Sequence, residues 1–434
     1  MKIVRADQKG FRKAVRNLAE RLIVSDPAIE GQVRRILARV RKLGDSAVLH
    51  YTRRFDRLKL TAGQLRVDPK ETDQAYRKAD VQVVDSLRVA AGRIRAFHER
   101  QVSQGWTVEQ NGATVGQRIH PLETVGLYVP GGKASYPSSV LMNALPAKVA
   151  GVKRMLICSP TPDGEINPYF LVAADIAGVD EIYRVGGVQA IGALAYGTAM
   201  IPRVDKIVGP GNRYVAAAKR LVFGQVDIDM VAGPSELLVI ADDRACPTFV
   251  ASDLLSQAEH DEDAVVILIT PSEELRQAVD LELRRQLSDL PRKAIASASL
   301  KRFGISLVVR DLAQAIEVAN EIAPEHLSLF AEDPQKWSDR IVNAGSVFLG
   351  EFTPQALGDY VAGPNHVLPT GGTARFFSPL GVDDFVRRSS IISFTKTALE
   401  EVGPHAIRIA QAEGLSAHAR MISIRMENDA KSRD

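Results

Sequence analysis

The sequence predicts an α/β fold built from two parallel-sheet units, with a helical N-terminal region ahead of them and a short tail behind. Apolar residues between Phe11 and Phe97 recur at helical spacing with few β-rich runs between them. After Pro121 the pattern changes to short apolar strands, each followed by an alanine-rich helical stretch, and a second series of the same kind starts at Glu236. That alternation is the signature of a mostly parallel sheet covered by helices, because a parallel neighbour is reached only through a long crossover. The expected divisions are a helical region with a hairpin over 1–120, an α/β domain over 121–235, a second over 236–381 and a tail over 382–434.

Taken in order, Val33, Ile36, Leu37 and Val40, and again Leu87, Ala90, Ile94 and Phe97, mark single faces of helices. The segment WTVEQNGATVGQRI alternates around Asn111-Gly112, the preferred pair for a two-residue hairpin turn. VGLYVP, RMLICSP, EIYRV and DKIVGP read as the strands of the first unit. ELLVIAD, AVVILIT, SLVVR, LSLF and SVFLG read as those of the second, separated by helices such as SEELRQAVDLELRRQL. From Val382 a strand-like SSIISFT precedes two amphipathic stretches, EEVGPHAIRIAQAEG and SAHARMISIRME. A tail this short cannot bury a core of its own, so it must pack on another domain or on a partner subunit.

Composition narrows the function classes. The 55 basic and 52 acidic residues are interspersed and leave a net charge of +3, so no basic stripe points to nucleic acid or an anionic membrane. No apolar run approaches membrane-spanning length, and the N-terminus lacks the apolar centre of a signal peptide. Two cysteines, Cys158 and Cys246, are too few for a disulfide framework or a thiolate zinc cage, which suits a reducing cytoplasm. Any metal must then use histidine and oxygen ligands.

Chemistry-bearing residues fall in a few segments. Glycine-rich loops PGGKASYPSS, VGGVQAIG and VGPGNRY sit where a strand gives way to a helix. Each is open to two readings, a backbone cradle for phosphate or a tight βα turn, and three together favour a nucleotide crevice. Gln257 and His260 lie three positions apart on a helical stretch, a spacing that places an amide oxygen beside an imidazole as half of a zinc site, or forms a plain surface pair. Glu325 and His326 follow Pro324 at the entry to a strand, and an adjacent Glu and His suit acid–base work or form a salt-bridged surface pair. Asp359 and His366 lie in a loop dense in glycine and proline, and Glu413 and His418 in the tail. His50, His98, His120 and His405 read as structural or surface residues.

VGLYVPGGKASYPSSVLM, RVGGVQAIGALAYGT, VDKIVGPGN, IDMVAGPSE, SQAEH, IAPEHL, GDYVAGPNHVLPTGGTARF and EGLSAHA, in that order along nearly the whole chain, resemble the histidinol dehydrogenase family. The resemblance implies an aldehyde dehydrogenase-like α/β fold with paired nucleotide-fold-like domains, and a homodimer in which the tail crosses to the partner subunit. It implies one Zn2+ per subunit on Gln257, His260, Asp359 and His418, the last supplied by the neighbouring subunit. The catalytic pair falls on Glu325 and His326, NAD contacts on Tyr128, Gln189 and Asn212, and substrate contacts on Ser235, His366 and Glu413 together with the metal ligands and His326. Arg213, beside Asn212, departs from the apolar residue expected there.

The implied reaction is oxidation of L-histidinol to L-histidine through the aldehyde with two NAD, the last step of histidine biosynthesis, in the cytoplasm and without nucleic-acid or membrane partners. His326 removes the hydroxyl proton and Glu325 activates water for attack on the aldehyde. Neither Cys158 nor Cys246 belongs to the constellation, which argues against a covalent thiohemiacetal. The competing readings are a zinc and NAD dehydrogenase of the same fold acting on another small polyol or amino alcohol, and a non-enzymatic binding protein of two α/β lobes.

Overall fold

A computed structural model describes residues 1–21, 27–131 and 136–427, so part of the PGGKASYPSS loop lies outside the described residues. Strand β1 (Lys2–Arg5) opens the chain, helices follow to Val81–Glu99, and then come β2 (Trp106–Gln110) and β3 (Ala113–Pro121). The first strand series is β4 (Thr124–Tyr128), β5 (Arg154–Cys158), β6 (Glu181–Tyr183), β7 (Lys206–Val208) and β8 (Asp227–Ile228). The second is β9 (Glu236–Ala241), β10 (Val265–Thr270), β11 (Gly304–Val308), β12 (His326–Phe330) and β13 (Ser346–Leu349). Strand β14 (Val386–Phe394) leads into the helices Lys396–Ala412 and Ser416–Glu427. The chain forms two compact units, Met1–Gln101 with Leu122–Phe385, and Val102–Pro121 with Val386–Asp434.

The first unit holds two all-parallel sheets, ordered β6-β5-β4-β7-β8 and β1-β11-β10-β9-β12-β13. Both wind alike. The first strand of each series is central, the next two step outward on one side, and the fourth crosses to the other, which creates a switch point between β4 and β7 and another between β9 and β12. Strand β1 adds an edge to the second sheet, Lys2 facing Ile305 and Arg5 facing Val308. Its four residues carry no strand pattern of their own, and their partner lies far away in sequence, so periodicity could not reveal it.

Side-chain alternation sorts each strand into two layers. In the first sheet, Val125, Leu127, Met155 and Ile157 face a core completed by Leu87, Ala90 and Ile94 of the helix Val81–Glu99. Leu156, Cys158 and Ile207 face the opposite core, which receives Val33, Leu37 and Val40 of the helix Pro27–Leu43. In the second sheet, Leu238, Ile240, Ile267, Leu327 and Leu329 form one layer, and Leu237, Val239, Val266, Leu268 and Phe330 the other. Burial on both faces explains why β9 and β10 read as continuous apolar runs.

The turn after β7 is tied by a buried ion pair. Lys219 Nζ binds the Asp229 carboxylate and donates to the Gly209 carbonyl at 2.8 Å, while the Gly209 N–H donates to Asp229 Oδ2 at 2.7 Å. Gly209 has φ +109°, and a Cβ there would stand 2.1 Å from the Tyr128 carbonyl oxygen, so only glycine fits. The bend hands the chain to Asn212, whose side chain accepts from the N–H groups of Tyr214 and Val215 and caps the helix Arg213–Val222.

In the second unit, β3 lies between β14 and β2 in an antiparallel ribbon. Asn111 (φ +51°) and Gly112 (φ +75°) make the two-residue turn with both φ positive that the Asn-Gly pair predicts. Apolar side chains of this unit, including Trp106, Val108, Ile392, Phe394 and Ile409, are exposed. Among the described residues of this unit, the buried apolar side chains are the small ones of Ala398, Ala410 and Ala419.

Removing one partner of a buried ion pair strands the other charge. Lys219→Met lowers stability by about 3 kcal/mol, read as a fall in the urea unfolding midpoint. A parental midpoint would show that the pair does not hold the β7 turn.

Candidate functional site

His326 begins β12 and Glu325 immediately precedes it; both are buried, Glu325 at 6% and His326 at 4% exposure, which removes the reading of a surface salt bridge. The register sets His326 beside Leu237, so Glu236 at the start of β9 lies next to Glu325. His326 Nδ1 is 2.9 Å from the Glu236 carbonyl oxygen, which can only accept, so Nδ1 carries the proton. In the neutral ring the lone pair is then on Nε2, which lies 3.9 Å from Asp359 Oδ1 and 3.5 Å from Gln355 Nε2. Glu325 Oε2 accepts the Glu236 N–H at 2.7 Å and lies 3.5 Å from His326 Nδ1.

Burial raises the Glu325 carboxyl above its ordinary range. Burial alone would depress His326, but the Glu325 carboxylate, its bond to the ring and the Asp359 charge together carry it up to about 9. Because Asp359 contributes to that rise, a cation engaged by Asp359 moves His326 back down. His366 is half-buried. Its Nδ1 donates to the Asp359 carbonyl at 2.9 Å, and its Nε2 lies 3.2 Å from Ser139 Oγ. Burial holds it below the ordinary histidine range despite Asp359, and the positive charges of His326 and His260 act in the same direction as burial.

Gln257 is in the last turn of the helix Pro247–Ala258, and His260 lies just beyond the helix end instead of on it, with its N–H on the Gln257 carbonyl at 3.2 Å. The Gln257 side chain is 1% exposed, yet neither amide atom has a partner. An orphaned buried amide is costly unless something absent from the chain completes it, and a metal ion does so through the amide oxygen. Among the described residues no group of three or more His, Cys, Asp or Glu side chains is gathered for a metal. The first unit offers only His260 and Asp359 of that class to the expected set. Glu413 and His418 belong to the second unit, where both are exposed. Half-buried Ser235 precedes β9, at the same sheet edge as Glu325 and His326.

The expected cofactor contacts lie at the carboxyl ends of the first sheet, around its switch point. Tyr128 closes β4, and its hydroxyl accepts the Gly187 N–H at 3.1 Å. Burial pushes its phenol up to about 12, so it stays neutral. Gln189, in the first turn of the helix Gly187–Tyr196, is fully buried with both amide atoms unpartnered. Asn212 is exposed at its helix start, and Arg213 projects over the ring of Tyr214, 5.7 Å from its centroid. Cys158 is fully buried in β5, and its burial raises the thiol well beyond the range of a reactive cysteine.

Several residues at the site escape sequence reasoning. Gln355 donates to Asp359 Oδ2 at 2.7 Å from one turn earlier on the short helix Gln355–Tyr360, a spacing of four that was legible beside Asp359. Glu236 and Arg21 carry no local signal, since their partners come from distant segments. His98 is indeed structural. It is fully buried, bonded to the Ile94 carbonyl at 2.9 Å, and it lies 3.4 Å from Asn365, which anchors the His366 loop to the Met142 carbonyl.

Known proteins match this chain over nearly its whole length. A histidinol dehydrogenase profile matches residues 20–426. The histidinol dehydrogenase of Syntrophotalea carbinolica is 53% identical over 429 residues, 99% of this chain and 100% of its own. That of Aquifex aeolicus is 53% identical over 412 residues, 95% of this chain and 96% of its own. The crystal structure of histidinol dehydrogenase from Elizabethkingia anophelis superposes with a TM-score of 0.93 at 39% identity and covers 98% of each chain. With sequence and fold matched from end to end, the chain belongs to the histidinol dehydrogenase family.

Proposed function

We propose that this chain oxidises L-histidinol to L-histidine through L-histidinaldehyde, using two NAD, as the last step of histidine biosynthesis in the cytoplasm. The observation that carries the reading is the buried Glu325–His326 pair, whose His326 Nε2 looks toward Asp359 in a chain of this family. NAD, when bound, would supply the hydride acceptor of each half-reaction. His326, held through Nδ1–H by the Glu236 carbonyl, takes the hydroxyl proton at Nε2 as the alcohol is oxidised. Glu325, whose raised carboxyl sits beside that ring, removes a proton from the water that adds to the aldehyde, and His326 accepts again in the second oxidation.

Gln257, His260 and Asp359, with His418 from a second copy of the chain, are the groups to hold Zn2+, which when bound supplies a template for the imidazole and amino nitrogens of the substrate. The unpartnered Gln257 amide supports that set. Ser235, His366 and Glu413 contact the substrate, and Tyr128, Gln189 and Asn212 contact NAD. The exposed apolar side chains of the second unit support a homodimer with shared sites. Buried Cys158, with its raised thiol, supports acid formation by water instead of a covalent thioester route.

Three outcomes are expected. Histidinol yields two NADH per molecule, followed by absorbance, and a chelator abolishes the yield until Zn2+ is returned; one NADH, or indifference to metal removal, sinks the reading. Glu325→Gln slows oxidation of supplied aldehyde by about 100-fold, and the first alcohol oxidation much less. Equal parental rates for both halves would remove water activation from Glu325. Mixed dimers of His260→Asn and His418→Asn subunits regain activity that neither homodimer shows, whereas silent mixed dimers exclude sharing of sites.

A further inference from the structure

Glu236 meets both members of the Glu325–His326 pair, through side chain and backbone together. Its carboxyl is 2% exposed, and each oxygen is engaged by two donors. Oε1 accepts from Arg21 Nε at 2.6 Å and from the Gly371 N–H at 3.0 Å. Oε2 accepts from Arg21 Nη2 and from the Glu325 N–H at 3.3 Å. On the backbone, the N–H donates to the Glu325 carboxylate at 2.7 Å and the carbonyl receives His326 Nδ1–H at 2.9 Å. One residue thus holds the Glu325 backbone, the Glu325 carboxylate and the His326 tautomer, and it also pins the loop that carries His366.

We propose that Arg21 and Glu236 are positioning residues for the Glu325–His326 pair, acting through the forked ion pair between them. A carboxylate this buried stays charged and fixed only with its counter-ion, and the guanidinium offers two parallel N–H bonds that match both oxygens. Arg21 Nη1 also reaches the Ile322 carbonyl at 3.4 Å, shortly before Pro324, so it ties Glu236 to the segment that delivers the pair. Without Arg21 the stranded carboxylate turns away or takes up a proton, and the ends of β9 and β12 lose their common anchor. The pair then loses its alignment to the reacting carbon while the NAD contacts on the first sheet remain.

The inference rests on the pair being the acid–base group, so the test includes that control. In the full-length, zinc-loaded protein, Arg21→Ala lowers kcat of both half-reactions about 10- to 100-fold, the cost of a displacement near 1 Å. KM for NAD stays within about twofold, because Tyr128, Gln189 and Asn212 belong to the first sheet and not to the strands that Glu236 joins. Millimolar guanidinium restores part of kcat to Arg21→Ala and none to His326→Asn. Arg21→Lys keeps the charge without the fork, and it lowers kcat with an unchanged melting midpoint even if Arg21→Ala fails to fold.

A parental kcat in Arg21→Lys overturns the proposal, as does a folded Arg21→Ala whose lowered kcat does not respond to guanidinium. Parental turnover in His326→Asn sinks the assignment of the pair, and the positioning role with it. An inactive His326→Asn beside fully active Arg21 variants sinks the positioning role alone.

Discussion

The amino ends of β9 and β12 are held in register by one buried charge, the Glu236 carboxylate, neutralised by Arg21. A carboxylate out of water is tolerated only when its lone pairs are filled, and here the four donors come from three separate segments: Arg21, the Glu325 N–H and the Gly371 N–H. The cost of leaving any of them unmade is what draws those segments together. Because the Glu236 backbone also bonds both Glu325 and His326, the ionic constraint and the proposed acid–base pair share the same few atoms.

The two sheets have the same winding, and the proposed cofactor and catalytic residues lie at opposite ends of them. Tyr128, Gln189 and Asn212 cluster at the carboxyl ends of the first sheet, beside its switch point, where open α/β sheets receive ligands. Glu325, His326 and Ser235 sit at the amino ends of the second sheet. The carboxyl-end switch point of that sheet is filled from within. The Asp242 N–H donates to the Phe330 carbonyl at 2.9 Å, and its carboxylate accepts the N–H groups of Arg244 and Glu332 at 3.0 and 2.8 Å. There the acidic side chain is held by backbone donors, whereas the Gly209 turn of the first sheet keeps its bend through Lys219 and Asp229.

Strands β4 to β7 and β9 to β12 were legible because burial demands apolar runs, β13 because its short run SVFLG is apolar even at the sheet edge, and the hairpin because both of its turn residues need positive φ. Strand β1 was not legible, since an edge strand of four residues takes its identity from β11 alone. The site divides in the same way. Glu325, His326, Asp359 and His366 stand in segments whose composition marks them, although His326 proves to open β12 and Asp359 to lie on the short helix Gln355–Tyr360, and the family resemblance implies their roles. Glu236 and Arg21 were missed because a buried ion pair between β9 and the N-terminal region leaves no periodicity in either segment. The expectation that His260 shares a helix with Gln257 gave way to a helix end at Ala258, which frees His260 from helical geometry.

From sequence alone came the α/β class, the two strand series, the hairpin and the segments that carry chemistry, because these follow from local sterics and from the period of buried side chains. The three-dimensional structure alone decided which residues meet: that His326 is protonated at Nδ1 by contact with a strand neighbour, that Gln257 and Gln189 are buried with empty amides, and that Arg21 reaches Glu236. Hydrogen bonds and ion pairs between distant segments obey distance and desolvation, and neither quantity is written in the order of residues along the chain.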